Sequence, residues 1–329
     1  MQNVYFKRVV FFLLSFVAVP LCTNAQLSPA DSLKFKRKSA NLLYQDNYIR
    51  NVDFSYVSPF GEIGAPDKYV LNTTVKTIYM VVVSEKFPVA FAVLPEITAR
   101  VRQEESAGVR TPSYKLGGVF MFRLGLSEVN YRYAEAGFMH HSNGQDGPAL
   151  NADGTLNTVT GNFSTNYITA AYRWGKYKPR SAWGSYSFNH KVGIDLHRLF
   201  KFEKAIKSDY GFTRLNYQFS LRRYTNSALT KRRGPDAFYD NITKEVWRWN
   251  ADAGYATNAI KGYGAFALER RLNIESSFHY SFPFMGNSFL MGAIGYYGED
   301  PYNIYYRNHY GYVRFGVSSG ISKYLTGRR

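Results

Sequence analysis

His140 and Ser142 lie two residues apart in the stretch Gly137-Phe138-Met139-His140-His141-Ser142-Asn143-Gly144-Gln145-Asp146-Gly147-Pro148, and Asn166 follows after a polar segment. In an extended strand, alternate residues share a face. His140 and Ser142 then project with Ala134, Ala136 and Phe138, whereas Tyr133, Glu135, Gly137, Met139 and His141 share the other side. In the next alternating segment, Asn166 shares a face with Ile168, Ala170, Tyr172 and Trp174. Three polar side chains thus converge on an apolar surface, where they are costly unless they serve something. The chemistry they offer is that of a serine hydrolase: Ser142 attacks, His140 takes its proton, and Asn166 fixes the imidazole tautomer. An amide cannot stabilise an imidazolium as a carboxylate does, so a metal ion is a natural supplement at the developing oxyanion. His-x-Ser alone is a weak pattern, and Asn-Gly and Asp-Gly-Pro are ordinary loop residues. The shared face carries the argument.

The elements that position these residues are read from period-two alternation. Along 113–126, Tyr114, Leu116, Gly118, Phe120, Phe122 and Leu124 oppose Lys115, Gly117, Val119, Met121 and Arg123. Along 245–255, Trp247, Trp249, Ala251, Ala253 and Tyr255 oppose Arg248, Asn250, Asp252 and Gly254. Along 268–282, one face reads Glu269, Arg271, Asn273, Glu275, Ser277 and His279, as the lumen of a barrel would. About twelve such segments recur, an even number as bacterial barrels require. They fall near 47–58, 71–83, 87–103, 113–126, 128–142, 164–176, 183–197, 211–225, 243–256, 266–282, 286–299 and 308–321. Short turns at Ser84-Glu85-Lys86 and 125–128 alternate with longer polar connections, which places His140 and Ser142 at the long-loop rim. The long basic connection 226–242 breaks that alternation.

Composition agrees. Aromatic residues make up 17% of the chain, with Tyr 28 and Phe 25, at a mean hydropathy of −0.31. Aromatic girdles around a polar lumen use such a balance. After the first residues no uninterrupted apolar run approaches the roughly 18 needed for a membrane helix, so a helical membrane protein is excluded. Lys7 and Arg8, the apolar run 9–21 and Thr23-Asn24-Ala25 read as a secretory signal over residues 1–25. Residues 26–45 read as a short N-terminal periplasmic segment or helix, and 46–329 as a transmembrane antiparallel β-barrel of all-β class in a bacterial outer membrane. Cys22 is the only cysteine, so the mature chain has no disulfide and no thiol chemistry. The formal charge of +17 suits anionic lipid head groups, lipopolysaccharide among them; an exported chain is not expected to bind nucleic acid. Glu135, Arg173, Glu269 and Arg271 are expected to form an internal polar network. His141, facing the lumen, is expected to be structural.

The region resembles the outer membrane phospholipase A family, whose Gly-Tyr-x-His-x-Ser-Asn-Gly appears here as Gly137-Phe138-Met139-His140-His141-Ser142-Asn143-Gly144. An Asn followed closely by Tyr appears as Asn166-Tyr167, and a Gly-Tyr-Gly-Glu segment with an Asn-containing loop as Gly295-Tyr296-Tyr297-Gly298-Glu299 and Asn303-Ile304-Tyr305-Tyr306. The resemblance implies a calcium-dependent phospholipase with a Ser-His-Asn triad, twelve strands and a homodimeric active form acting on membrane phospholipids. It implies Gly144 as an oxyanion donor, the Gln145 carbonyl as a Ca²⁺ ligand, and the Ser106 carbonyl of a second copy as another. The family's hydroxyl ligand falls in a loop that differs here, where Asn162, Ser164, Asp146 or Asp153 could replace it. That loop is shorter in the family and Arg/Ser-rich, and the chain ends in Leu325-Thr326-Gly327-Arg328-Arg329 rather than the Phe usual for such barrels. Two other readings stand beside it: a lipid A deacylase, which pairs His-x-Ser with a carboxylate, and a non-enzymatic channel or structural barrel.

Overall fold

The computed structural model describes residues 28–104, 108–109, 111–127, 129–181, 184–225 and 244–320. Fourteen strand segments form one sheet: β1 Ser55–Pro59, β2 Tyr69–Lys76, β3 Tyr79–Val83, β4 Val89–Val93, β5 Glu96–Arg102, β6 Ser113–Arg123, β7 Asn130–Ser142, β8 Ser164–Ser181, β9 Gly184–Leu196, β10 Thr213–Thr225, β11 Lys244–Ala256, β12 Leu272–Tyr280, β13 Ser288–Tyr297 and β14 Tyr310–Ser319. β2 and β3 are one stave broken at Thr77-Ile78, and β4 and β5 are one stave broken at Leu94-Pro95. Pro95 has no N–H to give the ladder, and its carbonyl instead accepts from Thr77 N at 3.1 Å. Fourteen segments therefore make a twelve-stranded antiparallel barrel, closed by the β1–β14 and β6–β7 pairings.

Alternation sorts the wall into two faces. Outward, Leu116, Phe120, Phe138, Trp249, Phe278, Ile294 and Phe315 are exposed and form an apolar belt of the kind that a bilayer covers. Inward, ion pairs line the lumen between apolar clusters. Glu135 joins Arg173 at 2.9 Å and Lys191 at 3.0 Å, while Arg314 bridges Glu62 at 2.8 Å and Glu275 at 2.5 Å. A cavity of about 450 Å³ remains between Lys76, Glu96, Lys115, Glu135, Lys191 and Arg214. Cations and carboxylates interleave there, so each charge has an opposite neighbour in a lumen that water reaches only in part.

Helix α1, Pro29–Arg50, takes the helical alternative read over 26–45 and runs five residues beyond it. Ser28 caps it by accepting from Asp31 N, and Pro29 opens it. Residues 28–37 are exposed, whereas Ala40, Asn41, Tyr44, Asn47 and Tyr48 are buried at the short-turn end of the lumen. The Tyr48 ring meets Tyr133 edge-on at 4.8 Å, and Asn51, the cap residue, donates to the Tyr133 hydroxyl at 3.1 Å. The helix therefore takes residues 47–50 from the strand expected over 47–58, and only 55–59 pair as β1.

A second correction concerns 266–282. Leu268–Arg271 is one helical turn, α2, and β12 begins at Leu272. The turn breaks the period of two, so Glu269 is exposed instead of joining a lumen network. Arg271 is buried but donates to the carbonyls of Ala256 and Asn258, each at 2.7 Å. Residues 1–27, which include the signal expected over 1–25, lie outside the described residues, as do the whole connection 226–242 and the C-terminal Leu325-Thr326-Gly327-Arg328-Arg329.

Candidate active site

The site stands where β6, β7 and β8 reach the long-loop rim. Ladder register sets His140 opposite Asn166 and Ser142 opposite Ser164; on the other side Leu116 faces His140 and Tyr114 faces Ser142. His140, Ser142 and Asn166 are half-buried and share the outward face with exposed Phe138.

His140 Nδ1 lies 2.8 Å from Asn166 Oδ1. The Asn166 amide is oriented by its other end, since Nδ2 donates to the Lys201 carbonyl at 2.7 Å. An amide oxygen only accepts, so His140 must carry its proton on Nδ1. In the neutral ring, that tautomer leaves the lone pair on Nε2, as a general base needs. A backbone carbonyl thus sets the tautomer through Asn166.

Among the described residues, no hydrogen bond joins Ser142 to His140. The two share a face two residues apart, and such contacts commonly tighten only when substrate binds. The next residue is a strut. Asn143 is 1% exposed; its Nδ2 donates to the Gly161 carbonyl at 2.7 Å, and its Oδ1 accepts from Phe163 N at 2.9 Å. Asn143 therefore clamps the end of β7 to the segment entering β8. Gly144 follows with φ 68°, a left-handed conformation that glycine adopts freely, and turns the chain directly after Ser142.

His141 points the other way. Its Nε2 lies 2.8 Å from Ser113 Oγ, and its ring meets Phe163 edge-on at 4.9 Å. His141 and Ser113 are 4% and 3% exposed, so this second His–Ser pair has no substrate access.

The sequence matches no family model and no curated protein. The fold, however, is similar to that of a solved structure, outer membrane phospholipase A from Escherichia coli. The match has a TM-score of 0.53 at 12% identity and covers 85% of this chain and 98% of that one. At that identity the likeness speaks for the barrel architecture, which is that of an outer membrane protein.

The expected metal ligands are only partly gathered. Gly147 N donates to the Thr160 carbonyl and Asn162 N to the Gly147 carbonyl, so the 145–147 stretch is tied to the 160–162 stretch at Gly147. Ser164 is in register with Ser142. Asp153 does not join them: it sits in the exposed 151–155 turn, where the Thr155 N–H and hydroxyl donate to its carboxylate and lower its pKa. Ser106 lies outside the described residues. Glu203, which the sequence reading passed over, adds a carboxylate here; its N–H donates to the Ser164 carbonyl at 2.8 Å, and its Oε2 accepts from Asn162 Nδ2 at 3.4 Å.

The second sequence motif is architectural. Glu299 accepts from Gly211 N at 2.7 Å and pairs with Arg214 and Arg270. The Tyr302–Tyr306 segment packs on Phe163, Ile206, Tyr210 and Phe212. It closes the long-loop mouth and supports the loop that Asn143 clamps. Nothing in residue types along 197–203 pointed to Lys201, because its contribution is a main-chain carbonyl.

Proposed function

We propose that this protein is an outer membrane phospholipase A that hydrolyses acyl esters of outer-leaflet phospholipids with Ser142, His140 and Asn166. The observation that carries this reading is the Lys201 carbonyl–Asn166–His140 relay on the outward apolar wall, which holds the imidazole by Nδ1 on the face that Ser142 shares. Ser142 Oγ attacks the ester carbonyl as its proton passes to His140 Nε2. The tetrahedral oxyanion collapses and expels the glycerol oxygen, which takes that proton. Water repeats the sequence on the acyl-serine and releases the fatty acid. The Gly144 N–H, one turn of chain beyond the nucleophile, is the oxyanion donor.

The Gln145 carbonyl, Asp146, Asn162, Ser164 and Glu203 are oxygen donors of the class Ca²⁺ prefers. No three acidic, histidine or cysteine side chains cluster among the described residues, and the donors named are mostly carbonyl, amide and hydroxyl oxygens. A bound Ca²⁺ would supply positive charge near the oxyanion, and a second copy of the chain would supply the remaining oxygens. The channel reading fares poorly, since helix α1 fills one mouth of the lumen and the Tyr302–Tyr306 segment fills the other.

The test is fatty-acid release from mixed micelles of phospholipid and neutral detergent by the refolded barrel. Release that requires Ca²⁺ and falls at least a thousandfold in Ser142→Ala is expected. Release from lipid A alone would move the assignment to deacylation, and a folded barrel inert on both would overturn it.

A further inference from the structure

The connection between β9 and β10 does more than orient Asn166. Lys201 gives its carbonyl to Asn166 at the level of His140. One residue earlier, the Phe200 ring meets Phe138 edge-on at 5.0 Å, and Phe138 lies two residues deeper on the triad face of β7. Leu199 and Phe200 are 60% and 40% exposed, so Phe200 rests on the apolar wall beside an uncovered leucine, next to a solvated lysine. Lys204 is exposed three residues on. This order of apolar ring and cation follows a phospholipid from acyl chain to phosphate.

Charge distribution narrows the choice. The 143–163 loop, on the other side of the triad, holds Asp146 and Asp153 and no Lys or Arg. The 197–207 segment holds Arg198, Lys201, Lys204 and Lys207 against the single carboxylate Glu203, which is turned to Asn162 and the Ala205 N–H. Arg198 is engaged over the Phe212 ring at 5.2 Å. Lys201 stands beside the residue that orients the base, and its flexible stem can deliver an ammonium to a phosphate while the ester lies at Ser142.

We propose that Lys201, with Lys204, forms the subsite for the phosphate of the lipid substrate, and that Leu199 and Phe200 form the adjoining wall for its acyl chain. The proposal rests on the phospholipase reading and makes the β9–β10 loop the element that distinguishes phospholipids from phosphate-free esters.

The experiment compares a short-chain phosphatidylglycerol with the matching diacylglycerol in neutral-detergent micelles. The barrels are wild type, Lys201→Glu/Lys204→Glu and Lys201→Arg, each checked for wild-type heat-modifiable mobility. Charge reversal leaves the Lys201 carbonyl in place. The ratio of kcat/KM for phospholipid over diacylglycerol is expected to fall about tenfold in the double variant and to recover in Lys201→Arg. An unchanged ratio in a barrel that does hydrolyse lipid would overturn the subsite and leave the phospholipase reading intact. A second readout is independent of turnover: the Kd of Ser142→Ala barrels for a non-hydrolysable diether phosphatidylglycerol, with and without the two reversals. Weakening by the reversals in a barrel that hydrolyses nothing would uphold the subsite and sink the phospholipase. Displacement of the diether lipid by equimolar inorganic phosphate would mark a general anion site and overturn the proposal.

Discussion

His140 and His141 are neighbours in the chain with opposite surroundings. His140 stands on the outer wall, half-buried, with its Nδ1 committed to Asn166 and its Nε2 in no hydrogen bond among the described residues. His141 is buried in the wall, bonded to Ser113 and covered by Phe163. The pair that already has a serine hydrogen bond is the one no substrate can reach. A His–Ser contact is therefore a poor marker of catalysis in a barrel. Access, and a partner that fixes the free nitrogen, separate the two.

This contrast can be broken at its strongest point. His140→Ala should reduce lipid hydrolysis by about a thousandfold or more while the barrel resists denaturant like wild type. His141→Ala should do the reverse. It should lose about 2–4 kcal/mol of stability through a cavity and an unpaired Ser113, seen as a lower denaturation midpoint, and keep most of its turnover per folded molecule. Loss of activity with intact stability in His141→Ala would exchange their roles.

Asn166 sharpens the comparison further. Asn166→Ala frees the imidazole to ring-flip and lose its tautomer, and should lower kcat on the order of a hundredfold with little change in KM. Asn166→Asp keeps the acceptor for His140 Nδ1 but gives up the donor to the Lys201 carbonyl, so an intermediate kcat is expected. Equal activity in all three proteins would remove the relay from the mechanism.

The smallest effect belongs to the far rim, where the exposed half of helix α1 meets the β3–β4 turn. Lys38 pairs with Glu85 at 2.9 Å and holds its carboxyl below the usual carboxylate range. A lowered folded value means the stabilisation is present above the ordinary carboxylate pKa and is lost as pH falls through the lowered one. Both partners are solvated, so the gain is slight and screened by salt. Glu85→Gln should melt marginally earlier than wild type at neutral pH and indistinguishably from it in acid. A difference that persists in acid would assign the effect to something other than this pair.

Much of the wall was legible in the sequence. Period-two alternation placed Phe138 and His140 outward and Glu135 and His141 inward, because a strand has no other way to present its side chains. It failed where another element interrupted the period. The Leu268–Arg271 turn took Glu269 out of the lumen, and the capped helix at Ser28 overrode the weak strand pattern of 47–50. The site was legible to the same extent. His140, Ser142 and Asn166 could be set on one face by counting, whereas the separation of Asp153 from the other metal candidates could not, because the course of the 143–163 loop is not written in its spacing.

The sequence by itself determined which residues face out, since side-chain direction is a local consequence of extended backbone. Tertiary structure alone decided which of them meet. The register that sets His140 against Asn166, the carbonyl that turns the Asn166 amide and the Phe163 cover over His141 join residues 20 or more positions apart. Such contacts exist only when the barrel closes, because ladder pairing and loop packing depend on where distant segments come to rest, and no local period encodes that.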